Sequence, residues 1–320
     1  MTNQFSPWQQ RAYEHAVTAL DTGRLGHALL ICGPAGLGKR AVADRLAQHV
    51  LGGVDPAVRQ RSEQLIAAGS HPDLHLVSFI PNKDGSKLRT EIVIEQMREL
   101  SRKLSLTPQY GVAQVAIVDP ADSINRAACN ALLKTLEEPA TGRYLWLISA
   151  QPARLPATIR SRCQRLEFKL PPHGEALDWL RTQGHSAQDA DEALQAARGH
   201  PGLADQWLGE GGLALRKAVA GDLDKLERGE IAVIETAQRW AADEHADLRL
   251  RHAADLVLAQ AADTGLTDPM RLHKLATWFD AANRTRDLLR TTVRGDLAMV
   301  DLLLAWRVGD RVRATKGEPK

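Results

Sequence analysis

Cysteine is scarce in this 320-residue chain, with only Cys32, Cys129 and Cys163. Three thiols make no disulfide framework, and spacings of 97 and 34 residues match no metal site. Buried thiols in a reducing compartment are the expectation, with no structural metal. Charge of one sign is missing too: 41 Lys and Arg face 39 Asp and Glu, leaving +2. A protein that grips nucleic acid mainly through its own charge is far more basic. Long hydrophobic runs are absent, and even Leu297 to Trp306 is broken by Asp301. Nothing approaches the ~20 apolar residues of a membrane span, so no membrane partner is expected. The start, Met1-Thr-Asn-Gln-Phe-Ser-Pro-Trp8, has no basic and no apolar region of a secretory signal. The chain reads as soluble and cytoplasmic.

What is present is ordinary globular composition, 44% hydrophobic and 25% charged, at a length that suits two or three domains. From Gly26 to about Lys169, short apolar runs alternate with amphipathic stretches. His27–Cys32, Gln114–Asp119 and Tyr144–Ser149 read as buried strands, with Leu74–Ser78 a weaker fourth. Helical periodicity fills the gaps, at Arg40–Val50, at Ile94, Met97, Leu100 and Leu104, and at Asn125–Glu137. Strands alternating with helices predict a parallel sheet covered on both faces. Leu170-Pro-Pro172 breaks the pattern, and Gly209-Glu-Gly-Gly212 reads as a second linker. The expected divisions are 1–170, 171–208 and 209–320, the last two all helical, with a frayed tail from Lys316 to Lys320. Leu297, Val300, Leu303 and Leu304 form one helical stripe, for packing inside the domain or for facing a partner.

Gly33-Pro-Ala-Gly-Leu-Gly-Lys39 lies between an expected strand and an expected helix, the context of a phosphate loop. Gly33, Gly36 and Gly38 let backbone N–H groups curl round phosphate oxygens, and Lys39 reaches the terminal phosphates. The next position should carry the hydroxyl that binds Mg²⁺. It is Arg40, which has no acceptor and cannot ligate a metal. The strand Gln114–Asp119 ends in the acid expected to face the loop. The residue after it, where a catalytic Glu belongs, is Pro120. Two parts of the hydrolytic machinery are missing. The loop is either a structural relic or a site that keeps ATP or ADP without turning it over.

Asn130-Ala-Leu-Leu-Lys-Thr-Leu-Glu-Glu-Pro139, Ser161-Arg-Cys163 and Gly26-His-Ala-Leu29 occur in an order that resembles the AAA+ clamp-loader subunits of bacterial DNA polymerase III. The likeness covers about residues 20–170, with Gly199-His-Pro-Gly202 in support beyond. It implies an α/β P-loop AAA+ domain, a small helical lid and an all-α collar that builds a hetero-oligomeric ring. The missing hydroxyl and acid, and Gly202 where the motor subunits carry a nucleotide-touching arginine, make the chain similar to a non-hydrolysing stator. Its partners would then be the gamma/tau motor subunits, the delta subunit, the sliding clamp and primed DNA. Nucleotidyl transfer would belong to the assembly. Delta itself lacks Ser-Arg-Cys. Many members carry a four-cysteine zinc module that Leu51 to His71 lacks, so no zinc is expected.

The same resemblance implies the site residues. Arg162, in a turn after the last strand, would be an arginine finger reaching in trans into a neighbour's ATP site; the plain alternative is a surface arginine paired with an acid. Arg98 and Lys134 match positions that touch template DNA, or are a solvated helix face. Ser149 stands where the polar sensor residue of the family stands and reads as structural. Cys163 and Ser161 shape the turn. An active ATPase motor and a DNA-binding regulator are the competing functions; Arg40 and Pro120 oppose the first, and the balanced charge opposes the second.

Overall fold

The computed structural model describes residues 5–53, 55–82, 85, 87–111, 113–264, 267–289 and 294–314. The first four residues and the tail Lys316 to Lys320 lie outside them. The chain divides into two compact units, residues 1–205 and 206–320.

In the first unit, helix α1 (Pro7–Asp21) leads into strand β1 (Ala28–Cys32), then α2 (Lys39–Gly52), α3 (Pro56–Ala67) and β2 (Leu74–Val77). Next come α4 (Ile94–Leu104), β3 (Gln114–Val118), α5 (Arg126–Glu137), β4 (Arg143–Ser149), α6 (Ala157–Arg160) and β5 (Gln164–Glu167). The five strands form one parallel sheet in the order β2-β3-β4-β1-β5. All five residues of β1 and of β3 are buried, because in a sheet covered on both faces inward and outward positions alike lie under helices. The alternation is plain in β1. Ala28, Leu30 and Cys32 pack with α4 and α5, through Met97, Leu100 and Leu132, whereas Leu29 and Ile31 pack with α2, through Val42 and Leu46. Leu46 is wholly buried, so Leu46→Ala would cost about 2–5 kcal/mol.

The sheet has one more strand than the sequence suggests. Arg162 does lie in a turn, but that turn precedes β5 instead of following the last strand. That strand pairs with β1 at the sheet edge, and of Gln164, Arg165, Leu166 and Glu167 only Leu166 is buried. A half-solvated edge strand carries no apolar run to read. Segment 55–69 holds α3, and its Ser62 Oγ lies 2.9 Å from His71 Nε2 in a buried contact.

Three helices follow, α7 (His173–Thr182), α8 (Ala187–Ala196) and α9 (Pro201–Gly209). Residues up to 205 belong to the first unit. Trp8 meets Trp179 edge-on at 5.2 Å between centroids, and Arg11 makes a two-pronged bond to Glu175 at 2.7 and 2.8 Å.

The second unit holds α10 (Gly212–Arg228), α11 (Val233–Ala242), α12 (Ala246–Thr264), α13 (Pro269–Leu288) and α14 (Gly295–Ala314). Its core collects Trp240, Trp278 and Trp306 with Leu226, Leu250 and Leu303. Each of these indoles has a partner: Asp222 Oδ2 at 2.8 Å, the Leu302 carbonyl at 2.9 Å and the Leu223 carbonyl at 3.0 Å. Large aromatics stay buried at low cost when their N–H is satisfied. The Leu297–Leu304 stripe splits. Leu303 and Val300 pack into the core, while Leu297 and Leu304 are 55% and 42% exposed.

Candidate functional site

At the end of β1 the chain turns through Gly33, whose φ of 136° suits glycine and whose added Cβ would stand 2.2 Å from the Phe168 carbonyl oxygen. Gly36 and Gly38 are both left-handed, and Lys39 opens α2. The structure brings Gly33, Gly36, Gly38, Lys39, Arg40, Asp119 and Ser149 to the carboxyl end of the parallel strands, where open α/β sheets bind ligands.

The loop is turned upon itself. Lys39 is buried, and its Nζ donates to the carbonyls of Gly33 at 2.8 Å and Pro34 at 2.6 Å. Burial lowers its pKa, and the carboxylates of Asp119 and Asp122 oppose that shift. Arg40 donates through Nε to Asp44 Oδ1 at 2.8 Å and sets Nη1 3.5 Å from Asp119 Oδ2. Burial raises the Asp119 carboxyl above its usual range, and Arg40 pulls it back. A guanidinium therefore faces the acid that would face a metal. A Mg²⁺–nucleotide needs an oxygen donor at position 40 and a free carboxylate at 119, and these residues do not fit it.

Two further elements press on the loop. Gly202, at the start of α9, lies so close that an added Cβ would stand 2.0 Å from the Gly36 carbonyl oxygen. From α1, Trp8 Nε1 donates to the Leu37 carbonyl at 3.1 Å and Gln9 Nε2 does so at 3.3 Å. Gln9 fills the space beside Gly38, where an added Cβ would meet its Nε2 at 1.6 Å. Gln9 carries no signal in the sequence. Ser149 is fully buried and its carbonyl accepts from Gly33 N at 3.3 Å, so it braces the loop from β4.

The other expected residues lie elsewhere. Arg98 and Lys134 are both exposed, on neighbouring helices α4 and α5 that are joined by Ser101 Oγ and Thr135 Oγ1 at 2.8 Å. Arg162 is exposed between buried Ile159 and Cys163. It is paired with an acid, Nη2 lying 2.6 Å from Glu137 Oε1, and Nη1 donates to the Thr158 carbonyl at 2.9 Å. Sequence reading missed Glu137 as its partner.

The strand register locates Arg162 relative to the loop. Leu29 of β1 is level with Gln164, and Cys32 is level with Glu167. Arg162 precedes the amino end of β5, whereas Gly33 follows the carboxyl end of β1. At about 3.3 Å per residue the two are roughly 15 Å or more apart along the sheet. Arg162 thus stands at the opposite end of the sheet from its own phosphate loop.

All three cysteines are buried and free, and burial pushes the Cys163 thiol up to about 11. Among the described residues no group of three His, Cys, Asp or Glu is placed to hold a metal ion, and no helix is long and apolar enough to cross a membrane.

A family model described as DNA polymerase III, delta subunit, matches residues 8–172. The chain is 36% identical to DNA polymerase III subunit delta' of Pseudomonas aeruginosa over 242 residues, 73% of this chain and 70% of that one. It is also 36% identical to subunit delta' of Escherichia coli K12 over 203 residues, 62% of this chain and 59% of that one. The matches thus span between about six- and seven-tenths of the two relatives. Among solved structures, a DNA polymerase III gamma subunit-related protein from Thermotoga maritima aligns with a TM-score of 0.47 at 16% identity, over 93% of this chain and 99% of that one.

Proposed function

The chain belongs to the DNA polymerase III delta subunit family, and on that premise we propose that it is a delta prime-type stator of the clamp loader, activating a neighbouring motor's ATPase rather than hydrolysing ATP itself. The observation that carries this is the placement of Arg162. It is exposed, and at the end of the sheet remote from its own phosphate loop. An arginine so placed has no phosphate of its own chain to serve. Presented to a neighbour's ATP, a guanidinium meets the charge developing on the transferred phosphoryl group, worth ~10³–10⁵ in rate.

The chain's own loop fits the passive half of that reading. Arg40 occupies Asp119 where a motor would hold Mg²⁺, and Pro120 offers no acid to a water. Lys39 is spent on loop carbonyls, and Gly202 closes over Gly36. Vestigial nucleotide binding would require the start of α9, at Gly202, to lift from the loop. This arrangement weighs against the motor reading.

Partners follow from family membership. The chain works within a hetero-oligomer of clamp-loader subunits, with gamma/tau and delta as neighbours. Residues 209–320 would form the collar, with exposed Leu297 and Leu304 as part of its assembly surface. Arg98 and Lys134 would add modest contacts to primed DNA, sequence-independent and salt-sensitive, in an assembly that also engages the sliding clamp. The cytoplasm, where replication proceeds, is the expected location.

The test is ATP hydrolysis by the purified chain, alone and then mixed with motor subunits, clamp and primed DNA. Alone it should stay at background, with Lys39→Ala unchanged from wild type; in the mixture it should raise the motors' rate. Turnover by the isolated chain that Lys39→Ala abolishes would contradict the stator reading.

A further inference from the structure

Arg162 is held at both its backbone and its tip. Its N–H donates to the Ile159 carbonyl at 3.1 Å, and the side chains of Ile159 and Cys163 are anchored in the core. At the tip, Nη2 meets Glu137 Oε1 at 2.6 Å and Nη1 donates to the Thr158 carbonyl at 2.9 Å. Glu137 is the last residue of α5, and that helix end is fixed in turn. Leu136 is buried, and its carbonyl lies 3.0 Å from His27 Nε2. A carboxylate at a helix carboxyl terminus stands against the helix dipole, where a cation is favoured. Arg162 supplies that cation.

A guanidinium has five N–H donors in one rigid plane. The hydrogen bond to Thr158 uses one N–H of Nη1, and Glu137 sits against Nη2 as an ion pair, which leaves the other N–H groups for a ligand. We propose that Glu137 is a positioning residue for Arg162: with the Thr158 carbonyl it holds the guanidinium in one pose, ready for a neighbour's phosphate. This rests on the trans-acting reading of Arg162. The alternative, a latch that withholds the arginine, suits the geometry less well. The pair is 36% and 49% exposed, and a half-exposed single bridge is weak. A nucleotide phosphate offers a stronger, charge-assisted and two-pronged partner. The bridge is strong enough to restrict a side chain with many rotamers and too weak to keep it from that competitor.

The test is a double-mutant cycle in the reconstituted clamp loader. Wild type, Glu137→Ala, Arg162→Ala and the double variant are each shown by co-elution to assemble. Steady-state kcat and KM for ATP are then measured with clamp and primed DNA. Glu137→Ala should lower the stimulated kcat about 2- to 5-fold, the size of one exposed ion pair, with KM for ATP held. It should cause no further loss in the Arg162→Ala background, since its effect passes through the arginine. Glu137→Gln keeps an oxygen acceptor and should lose less than Glu137→Ala. A wild-type or faster rate for Glu137→Ala, beside a slowed Arg162→Ala, overturns the positioning role and leaves the trans-acting reading standing. Equal losses from Glu137→Ala in both backgrounds overturn it as well. A wild-type rate for Arg162→Ala removes both.

Discussion

Acidification should weaken the second unit through one histidine. His252, on α12, is fully buried, with its ring edge-on to Trp207 at 4.6 Å between centroids. Burial drives its pKa down to about 4, the charges of Arg216 and Arg251 push the same way, and the Gly212 backbone opposes them. The folded protein therefore holds the ring neutral where the unfolded chain, with a pKa near 6.5, takes up a proton. Stability contributed by the neutral ring is intact above about pH 6.5, falls as pH drops through the window down to about 4, and is gone below it. At about 1.4 kcal/mol per pKa unit, the loss across that window is about 3 kcal/mol. Carboxylates titrate at the lower end of the same range, so a variant must isolate the term. Urea unfolding of the full chain at pH 7.5, 6.0 and 5.0, followed through the tryptophans, would be compared with His252→Gln, which cannot take up the proton. Wild type should be the more stable of the two at pH 7.5 and should lose that advantage by pH 5.0. Parallel pH profiles for the two proteins would refute the assignment of a buried, neutral His252.

Other outcomes are equally concrete. Gly202→Ala places a methyl 2.0 Å from the Gly36 carbonyl oxygen, so the start of α9 must shift. Overpacking of this kind costs about 1–3 kcal/mol, readable as a lower melting temperature and faster proteolysis near residue 200; an unchanged protein would contradict the close approach. With its pKa pushed up to about 11, Cys163 is almost wholly thiol at pH 8, and Cys32 and Cys129 are raised by burial too. Iodoacetamide should label none of the three until the chain is unfolded, because the thiolate is the nucleophile; prompt labelling of Cys163 in the native protein would show that its turn opens.

Much of this architecture can be read directly, for physical reasons that differ from element to element. Strands β1, β3 and β4 announce themselves because parallel strands covered on both faces need continuous apolar runs. Strand β5 does not, since Gln164, Arg165 and Glu167 face water at the sheet edge. The phosphate loop is legible because glycine is required where the backbone is left-handed, as at Gly36 and Gly38. The substitutions at Arg40 and Pro120 are legible by contrast with it. The bond from Arg40 to Asp44 follows from helical spacing, but the approach of Arg40 to Asp119 joins distant segments and needs the fold. The same holds for Glu137 with Arg162, 25 positions apart, and for Trp8 and Gln9, which reach Leu37 from α1. Sequence periodicity reports what an element buries, and it is silent on which distant polar groups meet at its ends.

The central claim is that Arg162 serves a neighbour's phosphate and not its own chain. Its most direct measurement is clamp- and DNA-stimulated ATP hydrolysis by a reconstituted complex carrying Arg162→Ala or Arg162→Lys. The side chain is exposed and its ion pair with Glu137 is weak, so the fold should lose no more than about 1 kcal/mol, and co-elution should be kept. The stimulated rate should fall, in part and not wholly if other motor sites receive arginines of their own. Arg162→Lys should restore little of it, because a point charge does not reproduce the planar fork. Wild-type hydrolysis by an intact complex carrying Arg162→Ala would contradict the claim and leave a scaffold without a part in catalysis.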